Sequence, residues 1–302
     1  MKKFIRQPAQ NTDIRTFMFI WETTMACDLV CLHCRAEAIS RKDPRRLTIN
    51  EGKRLLEQIV GFGKPTPIVV LTGGDPFKRE DIREQDVMTW SVFFLVPTGR
   101  GLIKDEITRD EYEDVMNWLY DTSRYIRIKT TEGHHYKRVV IQLSILEEEH
   151  TDPIREMCLG KTYLTLRDQL NRYAQDSLLP LDAKAVRRTP MNINAGNGFV
   201  FISRRGDVFP SGFLPVSAGN VRDTSPVDIY RNTSLFCQLR QPDKFNGRCG
   251  KCEFRYLCGG SRSHAYARTG NPLDEEPFCT YQPGSFPHQL KLKNYLQESS
   301  MS

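Results

Sequence analysis

Apolar residues in this chain fall into two patterns that alternate: short unbroken runs, and stripes at helical spacing. The run TFMFIW (16–21) is β-branched and aromatic, as a buried strand requires. Thr48-x-x-Glu51 forms a capping box that predicts a helix start. Leu55, Leu56, Ile59 and Val60 then mark its apolar face, and Gly61 and Gly63 its end. PIVVL (67–71) predicts a second buried strand. Strand, loop, helix, strand is a parallel βαβ unit, which places chemistry on the loops that follow the strands. WSVFFLV (90–96) predicts a third strand, and a second capping box, Thr108 to Glu111, a helix through about Tyr120. YIRIKTT (124–130) reads as another strand. HHYKRVVIQL after it reads as a helix, with His134 and His135 at its exposed start.

Residues 144–190 are polar and partly helical, with no clear period. From Met191 the texture changes. FVFIS, the turn Arg-Arg-Gly-Asp and VFP predict a β-hairpin, and SPVDIYRNTSLFCQLR (225–240) a helix. There are no internal repeats. The expected division is a core over 12–185 and a second unit over 186–302.

Charge and composition narrow the classes. The net charge of +6 is spread along 302 residues with no aromatic-interleaved basic stripe, which argues against nucleic acid. No run reaches the ~18 apolar residues of a membrane span, and MKKFIRQPAQ carries no apolar segment of a secretory signal. Nine cysteines in tight clusters, without an export signal, point to a cytoplasmic metal-binding protein rather than a disulfide framework. Cys158 and Cys237 stand apart, as small buried hydrophobes do.

Cys27, Cys31 and Cys34 follow the first strand at C-x3-C-x2-C. Three thiolates on one short loop suit an iron–sulfur cube with one iron left open. A zinc site completed by a residue such as His33, or a set of redox thiols, are the other readings. Gly73-Gly74-Asp75, after the second strand, offers unobstructed backbone N–H groups and a carboxylate, as an amino-acid-like ligand needs. At the other end, Cys249-x2-Cys252-x5-Cys258-x20-Cys279 can close a cluster; a zinc ribbon would use two C-x2-C knuckles, and only one is present.

With these motifs the chain resembles the radical SAM superfamily, and the C-terminal cysteines resemble its SPASM extension. FIWETTMACDLVCLHCRAEA, LTGGDPFKR and CEFRYLCGGSRSHAYARTG are similar in texture to the haem and haem d1 biosynthesis branch. The resemblance implies an α/β fold, a partial TIM-like barrel with a SPASM-like extension. It implies that Cys27, Cys31 and Cys34 ligate a [4Fe–4S] cluster. S-adenosyl-L-methionine would chelate the open iron, its methionyl end at Gly73, Gly74 and Asp75, and give a 5′-deoxyadenosyl radical. Thr98 to Arg100 are expected near the adenosyl side. Cys249, Cys252, Cys258 and Cys279 would hold one auxiliary [4Fe–4S] cluster. Where two-cluster relatives carry further cysteines, this chain has Ser211 and Ser261 or Arg262. The implied partners are a tetrapyrrole or peptide substrate and an electron donor such as ferredoxin or flavodoxin.

The resemblance also counts strands. At ~30 residues per βα unit, six units need roughly 180 residues, yet 13 residues separate Pro76 from Trp90. Barrel strands 3–5 are therefore expected to be deleted, with the second strand meeting WSVFFLV directly. A shortened core leaves two functions open: a radical SAM oxidoreductase, or a non-catalytic iron–sulfur electron carrier.

Overall fold

The computed structural model describes residues 11–26, 34, 37–40, 45, 47–64, 66–73, 89–99, 101–125, 127–176 and 190–297. The first apolar run forms β1 (Met18–Thr24), helix α1 (Ile49–Val60) carries the chain back, and the second run forms β2 (Ile68–Gly73), parallel to β1. The expected capping box closes α1: Thr48 Oγ1 accepts from the Glu51 N–H at 3.3 Å, and Glu51 accepts from the Thr48 N–H at 2.7 Å. The apolar face of α1 is narrower than the sequence suggests. Leu55 and Ile59 are buried, whereas Leu56 and Val60 are 40% and 61% exposed. Each of these lies about 100° further round the helix than its buried neighbour.

The third run forms β3 (Thr89–Phe93), α2 (Arg109–Thr122) follows from the second capping box, and β4 (Arg127–Thr131) returns. The strand after β2 does not join it. β3 pairs in parallel with β4 as a separate two-stranded sheet, which corrects the expected contact of β2 with this strand. The junction itself, 74–88, lies outside the described residues. Helix α3 (Tyr136–Glu148) follows β4, and the ambiguous stretch beyond it holds α4 (Pro153–Glu156) and α5 (Lys161–Asp176).

The predicted hairpin is β5 (Phe199–Ile202) and β6 (Asp207–Phe209), with β7 (Gly219–Asn220) beyond. β5 pairs in parallel with β1, so the larger sheet runs β2-β1-β5-β6-β7. Hydrogen bonds thus join the 12–185 and 186–302 segments; the boundary between them falls outside the described residues. The single helix expected over 225–240 is two, α6 (Pro226–Asn232) and α7 (Ser234–Leu239). Thr233 between them is extended, at φ −72° and ψ 139°. Its hydroxyl bonds back to the Ile229 carbonyl at 2.7 Å, the local competition by which such residues end helices. Three further helices, α8 (Gly247–Lys251), α9 (Arg262–Thr269) and α10 (Gln289–Gln297), complete the chain.

Two cores result. Phe19, Leu55, Ile59, Phe62, Val200, Ile202 and Tyr230 pack on one face of the larger sheet. Phe94, Tyr112, Met116, Ile128, Val139, Phe254 and Phe278 join α2, α3 and β4 to the C-terminal loops. No described helix is long and apolar enough to cross a membrane.

Candidate functional site

The register of β1 on β2 brings together the strand ends that lead into the two N-terminal motifs. Thr24, at the end of β1, lies opposite Gly73, at the end of β2. Met25 and Ala26 follow β1, and both pair with Ile39. The Ile39 N–H donates to the Met25 carbonyl at 3.0 Å, and Ala26 bridges Ile39. Met25 and Ala26 on one side of the cysteine motif are therefore joined to Ile39 on the other, beside the strand end that carries Gly73. Cys34 is half-buried, its Sγ accepting from the Ala38 N–H at 3.4 Å. Cys27, Cys31, Gly74, Asp75 and Arg100 lie outside the described residues.

At the other end, Cys249, Cys252, Cys258 and Cys279 line one cavity, with Arg138, Arg248, His135 and Glu276 around them. Several groups hold the thiols in place. Arg248 forks onto Glu275 at 3.0 and 3.2 Å and donates to the Cys279 carbonyl at 2.8 Å. Arg262 is fully buried, donates to the Pro272 and Asp274 carbonyls at 3.1 and 2.7 Å, and lies over the Phe245 ring. Gly259 and Gly260 both take left-handed φ, 63° and 64°. A Cβ on Gly260 would sit 2.8 Å from Glu276 Cβ and 3.2 Å from Cys249 Sγ, so the CGG sequence is a steric requirement of this cavity.

Donors also point at sulfur. The Glu276 N–H reaches Cys249 Sγ at 3.2 Å, the Gly260 N–H reaches Cys258 Sγ at 3.4 Å, and Arg262 reaches Cys249 Sγ at 3.6 Å. Burial pushes the Cys258 thiol up to about 12 and raises Cys252 and Cys279 as well. Among the described residues no three His, Cys, Asp or Glu side chains converge as one metal ion would need.

A buried polar layer backs this cavity. Arg138 and Glu113 form a salt bridge at 2.6 Å between α3 and α2, and Gln142 and Thr280 add hydrogen bonds at 2.6 and 3.1 Å. Glu276 and His264, both wholly buried, meet at 3.4 Å. Burial alone would raise the Glu276 carboxyl; His264, His135 and the Ser261 N–H bring it down to about 2. Ser211 and Ser261 come together. Both hydroxyls donate to the buried Glu132 carboxylate, at 2.9 and 2.5 Å. Glu132 was not foreseen. It is a non-glycine residue at φ 59° directly after β4, a strained position that only the neighbouring Gly133 hints at.

Between the two sheets lies a larger cavity of about 450 Å³. Strand alternation builds it. On β5, Val200 and Ile202 enter the core while Phe199 and Phe201 face the cavity. On β1, Phe19 enters the core while Met18 and Ile20 face it. Phe93, Phe213 and Tyr136 add further aromatic surface, and Lys137 and His134 supply polar groups. The two histidines are not an exposed helix start. His135 is fully buried, and His134 lines the large cavity, its pKa driven well below 6.5 by burial and then by Lys137. Burial lowers Lys137 to about 8, and among the described residues no carboxylate pairs with it. Its ammonium donates instead to the Ile193 and Leu257 carbonyls, at 2.6 and 3.3 Å.

The two cavities share a wall. Leu257, bonded by Lys137, precedes Cys258. Asn194, which lines the large cavity, donates to the Cys258 and Gly260 carbonyls at 2.9 Å each. Ser261, one residue on, reaches Glu132 of the large cavity.

No family model matches the chain. An AdoMet-dependent heme synthase of Methanosarcina barkeri is 26% identical over 376 residues, covering 88% of this chain and 97% of that protein. A pre-heme d1 synthase of Dinoroseobacter shibae is 23% identical over 349 residues, covering 86% of this chain and 85% of its own. A PqqA peptide cyclase of Xanthomonas axonopodis is 33% identical over 139 residues, 43% of this chain and 37% of its own. The chain is thus similar over most of its length to an AdoMet-dependent heme synthase and a pre-heme d1 synthase, and over less than half of it to a peptide cyclase.

Proposed function

We propose that this protein is a radical SAM enzyme that modifies a tetrapyrrole held in the cavity between the two sheets. The observation that carries the reading is the shared wall: a large aromatic cavity lies directly against the chain at Cys258, one of the four cysteines of the smaller cavity. Its volume falls within the roughly 300–1,000 Å³ of small-molecule sites. Five phenylalanines and Tyr136 suit a flat apolar ring, and the Lys137 ammonium suits a carboxylate on that ring's edge. The partial likeness to a peptide cyclase makes a peptide the second candidate.

Cys27, Cys31 and Cys34 would hold the first [4Fe–4S] cluster, and Gly73, Gly74 and Asp75 the methionyl end of S-adenosyl-L-methionine. Cys249, Cys252, Cys258 and Cys279 would hold an auxiliary cluster in a SPASM-like extension. The donor set fits: four half-buried cysteines line one cavity, and N–H groups and a guanidinium aim at the sulfurs of Cys249 and Cys258. When bound, the first cluster and S-adenosyl-L-methionine supply a radical able to abstract hydrogen. The chain's own part is to seat the ring between β1, β5 and β4, to neutralise its acidic edge at Lys137, and to exclude water with the aromatic lining. The short link between β2 and β3 implies a core that lacks barrel strands 3–5 and grips the adenosine less fully. A ferredoxin or flavodoxin would supply electrons.

Anaerobic reconstitution tests this. The expected result is about eight irons per chain and 5′-deoxyadenosine released from S-adenosyl-L-methionine after reduction. Two clusters without any cleavage would instead establish a non-catalytic electron carrier. A colourless zinc protein would remove both readings.

A further inference from the structure

His135 is fully buried and neither of its ring nitrogens has a hydrogen-bond partner. Such a group is rare and asks for a physical cause. The ring precedes α3, lies 5.8 Å from the Tyr112 ring, and lines the cavity of the four thiols. Neutral or protonated, an imidazole carries at least one N–H, so this ring has a donor without an acceptor.

The groups around it are already engaged. Glu113 is taken by Arg138 and Thr280, and Arg138 also holds Gln142. Glu276 accepts from the Ser261 and Phe278 N–H groups and faces His264. None of these groups bonds the imidazole, and the cavity that it lines is shared with the four cysteines. Donors to sulfur already come from Gly260, Glu276 and Arg262.

We propose that the His135 imidazole donates a hydrogen bond to a sulfur of the iron–sulfur group held by Cys249, Cys252, Cys258 and Cys279, and thereby raises that group's reduction potential. The inference rests on reading this cavity as an iron–sulfur site. Hydrogen bonds to sulfur stabilise the extra negative charge of the reduced state, which is how a protein moves a cluster's potential upward. His135 is a positioning and tuning residue here, not a ligand, because the four thiols complete the donor set.

The test uses the full chain with Cys27→Ala, Cys31→Ala and Cys34→Ala, so that iron resides only at the second site, about four per chain. His135→Phe keeps the ring and removes the N–H; His135→Gln restores a donor. The midpoint potential is measured by EPR-monitored redox titration, and exchangeable protons near the cluster by ENDOR in D₂O. His135→Phe is expected to hold its iron, titrate at a more negative potential and lose one exchangeable proton coupling, with His135→Gln between it and the parent. An unchanged potential and coupling in His135→Phe overturns the proposal. So does loss of iron from both variants, which would make the imidazole a ligand or a packing wedge. Zinc in place of iron in the parent overturns the cluster reading itself, a separate result.

Discussion

Arg138→Met puts the buried polar layer under direct test. Arg138 and Glu113 side chains are 2% and 8% exposed and meet at 2.6 Å, so removing the guanidinium strands a carboxylate between α2 and α3. Breaking a buried pair by removing one partner costs about 3–5 kcal/mol. Thr280 can still donate to Glu113, which places the expectation at the lower end, ~3 kcal/mol. With a urea m-value of about 3 kcal/mol/M, the midpoint falls by roughly 1 M. The double variant Arg138→Met, Glu113→Leu removes the stranded charge and is expected to recover most of the loss. The pH dependence adds a second reading. In the parent protein burial pushes the Glu113 carboxyl up, but Arg138, His135 and the hydrogen bonds bring it below the usual carboxylate range. That contribution is present above the unfolded pKa and is lost as pH falls through the folded one. In Arg138→Met the folded pKa rises instead, so the penalty is full at high pH and shrinks as the solution is acidified. Urea melts of the four proteins of the cycle, at pH 5 and pH 8, decide it. A loss below about 1 kcal/mol, or a double variant no more stable than the single, would refute the argument.

Other outcomes follow from the same geometry. Gly260→Ala places a Cβ 2.8 Å from Glu276 Cβ at φ 64°, so the protein is expected to lose about 1–3 kcal/mol and much of the iron at the second site, read by urea melts and iron analysis. Lys137→Met is expected to weaken binding of coproporphyrin III about tenfold in a fluorescence titration, with little change for its tetramethyl ester, since a buried charge-assisted bond is worth about 1.5–3 kcal/mol. For His264, burial alone would lower the pKa, but the Glu276 carboxylate raises it above 6.5. That stabilisation is present below 6.5 and is lost as pH rises through the folded value. The Glu276 contribution is present above 4.5 and fades as pH falls toward about 2. Thermal melts of the parent against His264→Gln should therefore converge at high pH.

What the amino-acid sequence determined by itself is local. Thr48 with Glu51 and Thr108 with Glu111 start their helices through bonds three residues long, and the Arg-Arg-Gly-Asp turn closes β5 on β6 the same way. Such contacts need no distant partner, and periodicity and cap residues report them. The cysteine spacings belong to this class too, because a loop of eight residues already limits what its thiols can hold.

Only the tertiary structure decided which strands pair and which polar groups are buried. β1 takes β5, some 180 residues away, while β3 passes over β2 for β4. Pairing depends on which apolar faces can be covered together, which no window of sequence contains. His135 looked like the exposed start of a helix because its neighbours in sequence are polar; C-terminal loops more than 100 residues on cover it. Ser211 and Ser261 stand out only against the cysteines of relatives and Glu132 not at all; the three become one hydrogen-bonded node when the hairpin and the CGG loop close over the end of β4.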